Sequence, residues 1–450
     1  MFMCQRDSFL QELDTEIVQI DQMIDLDSLT NSLSLNPKLF QEDKSLFKVV
    51  LADTVFFPEG GGQPDDHGVI TKKAESQENI VVEGSVIRVI RNGTVAEHYV
   101  ALAKGGENGG LSKGDKVTTK IDWGRRFDHM QQHSGQHLIT AVADVKFGFP
   151  TTSWWLGSEE SYIEMDTKEI TPEQIRAIED EVNARIRENV PVYVDVVSLD
   201  DPKLQTARGR NLPEDVKGNI RIVSMAGIES NVCCGTHVSN LSQLQVIKLL
   251  CVVKKKGKCL LHFLAGSRVI DRFTTMFQTE QKLTDILSSS PGQLPSAGEK
   301  LNLTLKNTRK SCQCLSKDLA VLIATTFKEK YSSGVENGNK LWMHHRDFVD
   351  LDFGMALLRE IGDAKKSAII LVTLKTEGTF GYFLLTGDEK VIPKAKIIEI
   401  GEELCKILDG KGSYQKGNIY QAKVNKINGL VKAQKLAQQL VDKLFDKVEN

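Results

Sequence analysis

The sequence has few cysteines for its length, and it lacks long apolar runs and a strong excess of charge. Eight Cys in 450 residues are too sparse for a disulfide scaffold, so we expect the thiols to be core residues or metal ligands. No apolar run reaches the ~18 residues that a membrane helix needs, and the opening stretch MFMCQRDSFLQELD has no apolar signal-peptide core. We therefore expect a cytoplasmic protein with no membrane partner.

The charges of the chain nearly cancel, because 57 Lys and Arg stand against 60 Asp and Glu, for a net charge of −3. The protein is therefore not a polycation, and any nucleic acid has to bind at local basic patches. Candidate patches are KKKGK at 254–258, the pair Arg125 and Arg126, and residues 391–450, which hold eleven Lys against seven Asp and Glu. The 40% of hydrophobic and 26% of charged residues are typical of a globular protein.

Hydrophobic patterning predicts an α+β protein that opens with a barrel. Alternating β-branched runs and turn residues over 45–103 favour a small antiparallel β-barrel or sandwich, and we assign residues 1–115 to this N-terminal barrel domain. A helix over 127–146 and a second helix, with a capping box at Thr171, alternate with short strands. This alternation predicts a central α/β domain over 116–268.

The second half of the chain predicts a helical segment followed by a small α/β module. A heptad seam of Leu residues favours a helical hairpin over 269–330, which would bury both apolar faces. One amphipathic helix packed on a domain is the alternative. Residues 331–450 show two strand-like runs, two helices and the Gly/Lys loop GKGSYQKGNIYQAKV, and we predict a C-terminal α/β module there.

Two pairs of metal-ligand residues lie about a hundred positions apart. His133 and His137 are one turn apart on the predicted helix, so their side chains share one face. Cys233 and His237 flank the tight turn CCGTH at the same four-residue interval. Three imidazoles and one thiolate suit Zn²⁺. We therefore predict one zinc ion per chain.

Two details of this zinc site stay open. Cys234 is the alternative thiolate, although Cys233 keeps the one-turn interval to His237. His129 is the alternative imidazole, because it forms a second HxxxH pair with His133. Four protein ligands are typical of structural zinc, whereas catalytic zinc keeps a position open for water. The ligand count thus fits a structural site unless one ligand is weak or the ion expands its coordination.

Three motifs in order resemble the editing domain of alanyl-tRNA synthetases. The resemblance is greatest to the free-standing alanyl-tRNA editing proteins (AlaX-type trans-editing factors) in their long eukaryotic form. The motifs are TVFFPEGGGQPDDHG at 54–68, RRFDHMQQHSGQHLIT at 125–140 and ESNVCCGTHVSN at 229–240. GKGSYQKGNIYQAK at 410–423 is similar to a glycine-rich stretch in the C-terminal domain of those synthetases. Threonyl-tRNA synthetase editing domains share the two ligand pairs but are not expected to carry the GGGQP motif.

The resemblance implies a zinc-dependent hydrolase that deacylates mischarged tRNA(Ala), chiefly Ser-tRNA(Ala). Its partner would be aminoacylated tRNA(Ala), bound in part by the C-terminal module, with no DNA partner. The implied zinc ligands are His133, His137, Cys233 and His237. The residues implied to approach substrate from the barrel are Gly60, Gly61, Gly62 and Gln63.

The resemblance leaves the catalytic group unidentified. Gln132, Gln136 and Asp128 are candidates for holding the attacking water, although each also fits a structural position on the helix. Two departures from the family pattern bear on the pocket. Cys234 stands where the family often has Gly, and Gln136 stands where the synthetases have a small or hydroxylated residue.

A rival function is a non-catalytic, zinc-stabilised tRNA- or RNA-binding protein. Four good ligands and the lack of an obvious general base favour that alternative, whereas the glycine-rich motif beside the ligand pairs favours the enzyme. A third interpretation, a dimerisation protein built on the helical hairpin, explains only the heptad seam. We do expect a homodimer to form through the helical segment.

Overall fold

The computed structural model describes residues 1–23, 44–73, 80–103, 107–207, 219–332, 340–376 and 378–446. The chain divides into two compact units, Met1–Gln281 and Lys282–Asn450. Among the described residues, no helix is long and apolar enough to cross a membrane. Residues 105 and 106, part of a glycine-rich stretch between predicted strands, lie outside the described set.

A closed antiparallel barrel opens the first unit, preceded by the short helix α1 (Met3–Arg6). Its strands are β1 (Glu12–Gln22), β2 (Lys44–Leu51), β3 (Gly68–Lys73), β4 (Ile80–Asn92), β5 (Val95–Ala103) and β6 (Lys116–Ile121). They pair in the order β1-β2-β5-β4-β3-β6, which confirms a barrel and not a sandwich. The sixth strand lies beyond residue 115, where the predicted barrel segment ends.

The Glu-Gly pair at 83–84 lies between two strand-like runs and predicts a turn. This prediction is wrong, because Gly84 lies inside the uninterrupted strand β4. A Cβ at Gly84 would lie 2.6 Å from Val100 and 2.5 Å from Leu102 on the neighbouring strand β5. Glycine is therefore needed here for close packing against β5, and not for a change of chain direction.

The remainder of the first unit combines helices with two antiparallel sheets. In chain order the elements are α2 (Trp123–Phe147), β7 (Thr151–Leu156), β8 (Ser161–Met165), α3 (Pro172–Arg187), β9 (Val192–Val197), α4 (Lys203–Thr206), β10 (Ile220–Met225), β11 (Glu229–Val232), β12 (Ile247–Lys255) and β13 (Lys258–Ala265). One sheet has the order β12-β13-β8-β7 and the other the order β11-β10-β9. This alternation confirms the predicted mixture of helix and sheet.

Helix α2, which carries the first ligand pair, begins four residues before its predicted start. The Asp122 side chain accepts a hydrogen bond from the backbone N–H of Arg125 at 3.1 Å, so Asp122 is the N-cap and the preceding strand ends at Ile121. The capping box of α3 is confirmed, since Thr171 and Gln174 exchange side-chain to backbone hydrogen bonds.

The core of the first unit lies where α2 and α3 cover the four-stranded sheet. Leu138 and Ile139 of α2 pack in one apolar cluster with Ile178 and Val182 of α3 and with Phe263 of β13. Each fully buried side chain of this kind contributes ~1.5–3 kcal/mol to the free energy of folding. This packing holds α2 rigidly, which fixes the direction of the histidines on its other side.

A five-stranded sheet between two helical layers forms the second unit. Helix α5 (Ser267–Leu287) spans the division between the units, and the later elements are α6 (Leu294–Ser332), β14 (Leu341–Asp347), α7 (Leu351–Ile361), β15 (Ile369–Lys375), β16 (Gly381–Thr386), α8 (Lys394–Leu408), β17 (Gly410–Gln415), β18 (Ile419–Val424) and α9 (Leu430–Asp446). The strand order is β14-β15-β16-β18-β17, and only the pair β14–β15 is parallel among the described ladders. Helices α8 and α9 cover one face, and α7 with the end of α6 covers the other.

The prediction of a Gly/Lys loop in GKGSYQKGNIYQAKV is wrong, because this segment forms a β-hairpin of β17 and β18. A Cβ at Gly412 would lie 2.4 Å from the ring of Tyr420, and one at Gly410 would lie 2.7 Å from Val424. These glycines let β17 pack closely against its partner. The sequence pattern also gave no indication of β14 and α7.

The heptad prediction is wrong about which residues the long helix buries. Leu301, Leu305 and Leu315 are 57%, 65% and 68% exposed, whereas Ala324 and Phe327 near the end of α6 are buried against α7 and the sheet. Helix α5 has no buried residue. The expected burial of both apolar faces in a helical hairpin is therefore not observed.

Candidate metal centre

Four side chains converge inside the first unit, and they are the four that the spacing of the motifs pairs. His133 and His137 on α2, with Cys233 and His237 after β11, place their ligand atoms within 4.8 Å of one another. Sγ of Cys233 lies 3.5 Å from Nε2 of His133 and 3.3 Å from Nε2 of His237. All four are buried. This donor set fits one metal ion and is consistent with zinc.

The glycine-rich loop of the barrel reaches this cluster through Gln63. Oε1 of Gln63, which is fully buried, accepts from Nδ1 of His133 at 2.9 Å and from the backbone N–H of Thr236 at 2.9 Å. Its Nε2 donates to Oγ1 of Thr236 at 2.7 Å. With Nδ1 holding the proton, the lone pair of His133 is on Nε2, which faces the cluster.

The other two histidines also have partners for Nδ1. Oγ of Ser134 lies 3.0 Å from Nδ1 of His237, and Nδ1 of His137 lies 3.2 Å from Nδ2 of Asn231 and 3.6 Å from Oε1 of Glu229. The sequence reasoning missed these three polar residues. The period-two spacing of positions 229, 231 and 233 would have placed Glu229 and Asn231 on the same face of a strand as Cys233.

The surroundings of the cluster favour the metal-binding forms of Cys233 and His237. Burial alone raises the pKa of Cys233, but the charges of His133 and His237 lower it well below its usual value. Burial lowers the pKa of His237 to about 3. Burial likewise lowers the pKa of His137, but hydrogen bonds to Cys233 and Glu229 outweigh it and raise that pKa to about 9. A bound cation would replace the proton of His137, as expected when metal binding releases protons.

The turn that carries Cys233 and His237 is held from outside the cluster. Nη1 of Arg221 donates to the carbonyl oxygens of Cys233 and Gly235, at 2.9 and 2.6 Å. Nε2 of Gln5 on α1 donates to the carbonyl oxygen of Cys234 at 3.0 Å. A Cβ at Gly235 would lie 2.3 Å from Cε1 of His133, so only glycine lets the turn approach the histidine.

The glycines beside Gln63 form a tight turn against the central sheet and the second ligand arm. Gly61 and Gly62 have φ values of 61° and 80°, a region that favours glycine. A Cβ at Gly61 would lie 2.9 Å from Sγ of Cys234, and one at Gly62 would lie 2.3 Å from Nε1 of Trp154. Cys234 therefore faces the glycine loop and does not join the cluster. Contact between this loop and substrate stays a prediction.

Two of the three candidate water-holding residues are engaged in structural contacts. Gln132 donates to and accepts from the backbone of β13 at 2.8 and 3.0 Å. The carboxylate of Asp128 binds the guanidinium of Arg268 at 2.6 and 2.7 Å. Gln136 differs, because its Oε1 is buried and has no hydrogen-bond partner within the described part of the chain.

His129, the alternative imidazole, is not part of the metal-ligand cluster, and neither is Arg126. Burial and the charges of Arg125 and Arg268 lower the pKa of His129 to about 2. Arg126 is fully buried, where it binds Asp66 and donates to two main-chain carbonyl oxygens at 2.9 and 2.7 Å. Its prediction as part of a basic patch is therefore wrong.

Comparisons with known proteins agree with the motif pattern. Residues 220–260 match the family described as threonyl and alanyl tRNA synthetase second additional domain. The chain is 42% identical over 441 residues to alanyl-tRNA editing protein Aarsd1-B of Xenopus laevis, with 98% of both chains covered. The chain belongs to the alanyl-tRNA editing protein family. Alanyl-tRNA editing protein Aarsd1 of Mus musculus is 41% identical at the same coverage, and alanyl-tRNA editing protein AlaX-L of Pyrococcus horikoshii is 26% identical over 90% of both chains.

Membership of the alanyl-tRNA editing protein family confirms the resemblance that the motifs indicate. Among solved structures, the C-Ala domain of Aquifex aeolicus alanyl-tRNA synthetase matches 24% of this chain and 96% of its own, at 18% identity and a TM-score of 0.21. At that score the likeness carries no argument. In this alanyl-tRNA editing protein, His₃Cys offers an ion four protein ligands, so chemistry at the ion requires a weak ligand or expanded coordination.

Proposed function

We propose that the protein is a trans-editing hydrolase that deacylates mischarged tRNA(Ala), chiefly Ser-tRNA(Ala). One observation carries the proposal. The glycine-rich loop of the barrel contacts the buried His₃Cys cluster through Gln63, which hydrogen-bonds to both His133 and Thr236. A purely structural metal site would not need a second domain at its edge. Relatives that are named alanyl-tRNA editing proteins support the same reaction.

The proposed substrate follows from a limit on selection by size. A pocket shaped for alanine rejects serine poorly, because a hydrophobic pocket discriminates against an added hydroxyl by only about a hundredfold. A second site that hydrogen-bonds to the hydroxyl discriminates in the opposite direction. Alanine would leave the polar groups of that site unpaired, at ~1–3 kcal/mol for each group.

We propose that the metal is Zn²⁺, one ion per chain, held by His133, His137, Cys233 and His237. When bound, it supplies a Lewis acid that polarises an oxygen or lowers the pKa of a water. The protein contributes orientation around it. Gln63 fixes the tautomer of His133, Ser134 contacts Nδ1 of His237, and Glu229 lies beside His137. Such outer partners raise the affinity of a site for its metal.

We propose Gln136 as the residue that recognises the serine hydroxyl or holds the attacking water. Its Nε2 donates to Oγ1 of Thr140 at 2.9 Å, which fixes the amide, and its Oε1 is left as a buried acceptor. A buried acceptor without a donor is costly, unless a ligand supplies the donor. Gln136 precedes His137 directly and lies three residues after His133, so it belongs to the same part of α2.

The four predicted segments receive separate roles in this proposal. Residues 1–115 supply the glycine-rich loop, residues 116–268 the metal site, residues 269–330 a connecting helical segment, and residues 331–450 a tRNA-binding module.

In the KKKGK patch, Lys254 and Lys258 pair with glutamates at 2.9 and 2.8 Å. Lys255 and Lys256 of this patch, both exposed, remain for phosphate contacts, whose affinity should fall with salt.

We further propose a homodimer through the helical segment. Ile270, Phe273 and Phe277 on α5 are 55%, 68% and 49% exposed, and the two phenylalanine rings stack at 6.4 Å. A second copy of this helix would cover the stripe. Sedimentation velocity should give a dimer for the wild type and a monomer for Phe273→Glu. A monomeric wild type at micromolar concentration refutes the dimer.

The decisive test compares hydrolysis of Ser-tRNA(Ala) and Ala-tRNA(Ala), with the zinc content assayed in parallel. We expect the wild type to cleave the seryl ester selectively, and Cys233→Ala to lose both zinc and activity. Cys234→Ala is the matched control and should keep both. A folded, zinc-loaded wild type that leaves both esters intact would refute editing and favour a zinc-stabilised RNA-binding protein.

A further inference from the structure

The second unit contains a cleft whose lining includes none of the metal ligands. It lies between α6 and α7 and has a volume of about 500 Å³, which is within the range of small-ligand sites. One wall is formed by Arg309, Gln313 and Lys317 on α6, and the other by Phe348 and Arg359. Phe348 directly follows the last residue of β14, so the carboxyl end of this strand lies beside the cleft.

Phe348 is held in an unfavourable position at the mouth of the cleft. Its φ is 60°, which is rare for a bulky side chain, and it is 85% exposed. The ring therefore gains little from burial while its backbone stores strain. Strain without a packing benefit is typical of positions selected for binding.

The charged groups of the cleft favour an anion. Arg309, Lys317 and Arg359 line it and make no ion pair within the described residues. Asp350 and Asp352 are the lining carboxylates. Asp350 is occupied as the N-cap of α7, accepting from the backbone N–H of residue 353 at 3.1 Å. Three unpaired cations thus stand against two carboxylates, which leaves the lining with a net positive charge.

We propose that this cleft binds one unstacked nucleotide of RNA. The base stacks on the ring of Phe348, and the phosphates contact Arg309, Lys317 and Arg359. Asp352 accepts a hydrogen bond from the ribose 2′-hydroxyl, the group by which proteins distinguish RNA from DNA. An aromatic platform beside cations is the usual arrangement for single-stranded nucleic acid. The inference rests on the proposed function only in that tRNA would be the source of the nucleotide.

The test measures binding of a labelled single-stranded RNA about 12 nucleotides long to the full-length, zinc-loaded chain by fluorescence anisotropy. Phe348→Asn removes the ring, and Asn tolerates positive φ, so folding is preserved. We expect its affinity to fall about 5- to 150-fold, the range for one lost base–aromatic stack. Phe348→Trp should bind like the wild type. Phe380→Asn is the matched control, because Phe380 is 52% exposed in the same unit but does not line the cleft.

Two further measurements test the phosphate and the sugar. Arg359→Gln should weaken binding and reduce the slope of log affinity against log salt by about one contact. DNA of the same sequence should bind more weakly than the RNA. Asp352→Asn should reduce this difference in affinity between RNA and DNA. Unchanged RNA binding by Phe348→Asn overturns the inference. Displacement of the RNA by adenosine monophosphate at equal concentration also overturns it, since the cleft would then be a site for free nucleotides.

Deacylation of Ser-tRNA(Ala) separates this inference from the proposed function. We expect Phe348→Asn to raise KM and leave kcat unchanged, because the cleft only binds RNA. If the wild type has no deacylase activity, but Phe348→Asn still weakens RNA binding, the proposed editing function is refuted and the proposed RNA site is supported. If deacylation depends on zinc, but Phe348→Asn changes neither RNA binding nor KM, the editing function is supported and the proposed RNA site is refuted.

Discussion

Replacing Gln63 by Leu should weaken metal binding from outside the ligand set. Leu is similar in size to Gln but accepts no hydrogen bond, so the substitution leaves Nδ1–H of His133 and the backbone N–H of Thr236 without their acceptor. Both donors are buried. Loss of an outer partner typically costs 10–100-fold in metal affinity, and we expect a loss in this range for Gln63→Leu.

The same change should destabilise the fold. Each buried donor left unpaired costs ~1–3 kcal/mol, so two donors together lower the free energy of unfolding by roughly 2–6 kcal/mol. Gln63→Glu is the matched control, because a carboxylate accepts from both donors and the hydroxyl of Thr236 can donate to it. We expect Gln63→Glu to bind zinc within about threefold of the wild type, a small change on the scale of these outer contacts.

Competition with a chromophoric zinc chelator measures the affinity, and urea titration with and without zinc measures the free energy of unfolding. Gln63→Leu should bind zinc more weakly than the wild type does. Its free energy of unfolding should be lower than that of the wild type both with and without zinc. The reasoning fails if Gln63→Leu and Gln63→Glu bind zinc equally well. Equal binding would mean that the barrel contact does not orient His133.

Three other perturbations test separate parts of the first unit. Cys233→Ser should lose the bound metal in an elemental assay, whereas Cys234→Ser should retain it; loss in both variants would contradict the ligand assignment. Gly62→Ala should lower the free energy of unfolding more than Gly93→Ala in denaturant titration, because both have positive φ but only the Cβ at position 62 meets a ring, at 2.3 Å. Burial lowers the pKa of His98 from 6.5 to about 4, so the unfolded chain binds a proton that the folded barrel excludes, and stability falls by roughly 3 kcal/mol as the pH drops from 6.5 to 4. His98→Gln should lose less stability over that interval, and an identical pH profile would refute the assignment.

The sequence predicted elements well where short-range chemistry decides them. The capping box at Thr171 and Gln174 sets the start of α3, since both hydrogen bonds form within one turn. The one-turn interval between His133 and His137 likewise brings two imidazoles to one face. Neither feature depends on residues far away in the chain.

The sequence predictions failed where distant residues decide the structure. Glycines that looked like turn residues, such as Gly84 and Gly412, lie inside strands, because their neighbours across the sheet leave no room for a Cβ. The leucines of the heptad seam, such as Leu305, are exposed, whereas Ala324 meets α7. A pattern along the chain shows that a face is apolar, but it does not show what covers that face.

The sequence by itself determined the ligand types, their spacing and the family of this protein. Each of these is a local property, since two four-residue intervals and three motifs can be read without knowing the fold. Only the tertiary structure decided that Cys234 faces Gly61 and not the cluster, and that Gln63 holds His133. Such contacts join residues that lie tens to hundreds of positions apart, so they exist only once the barrel has packed against the central helix.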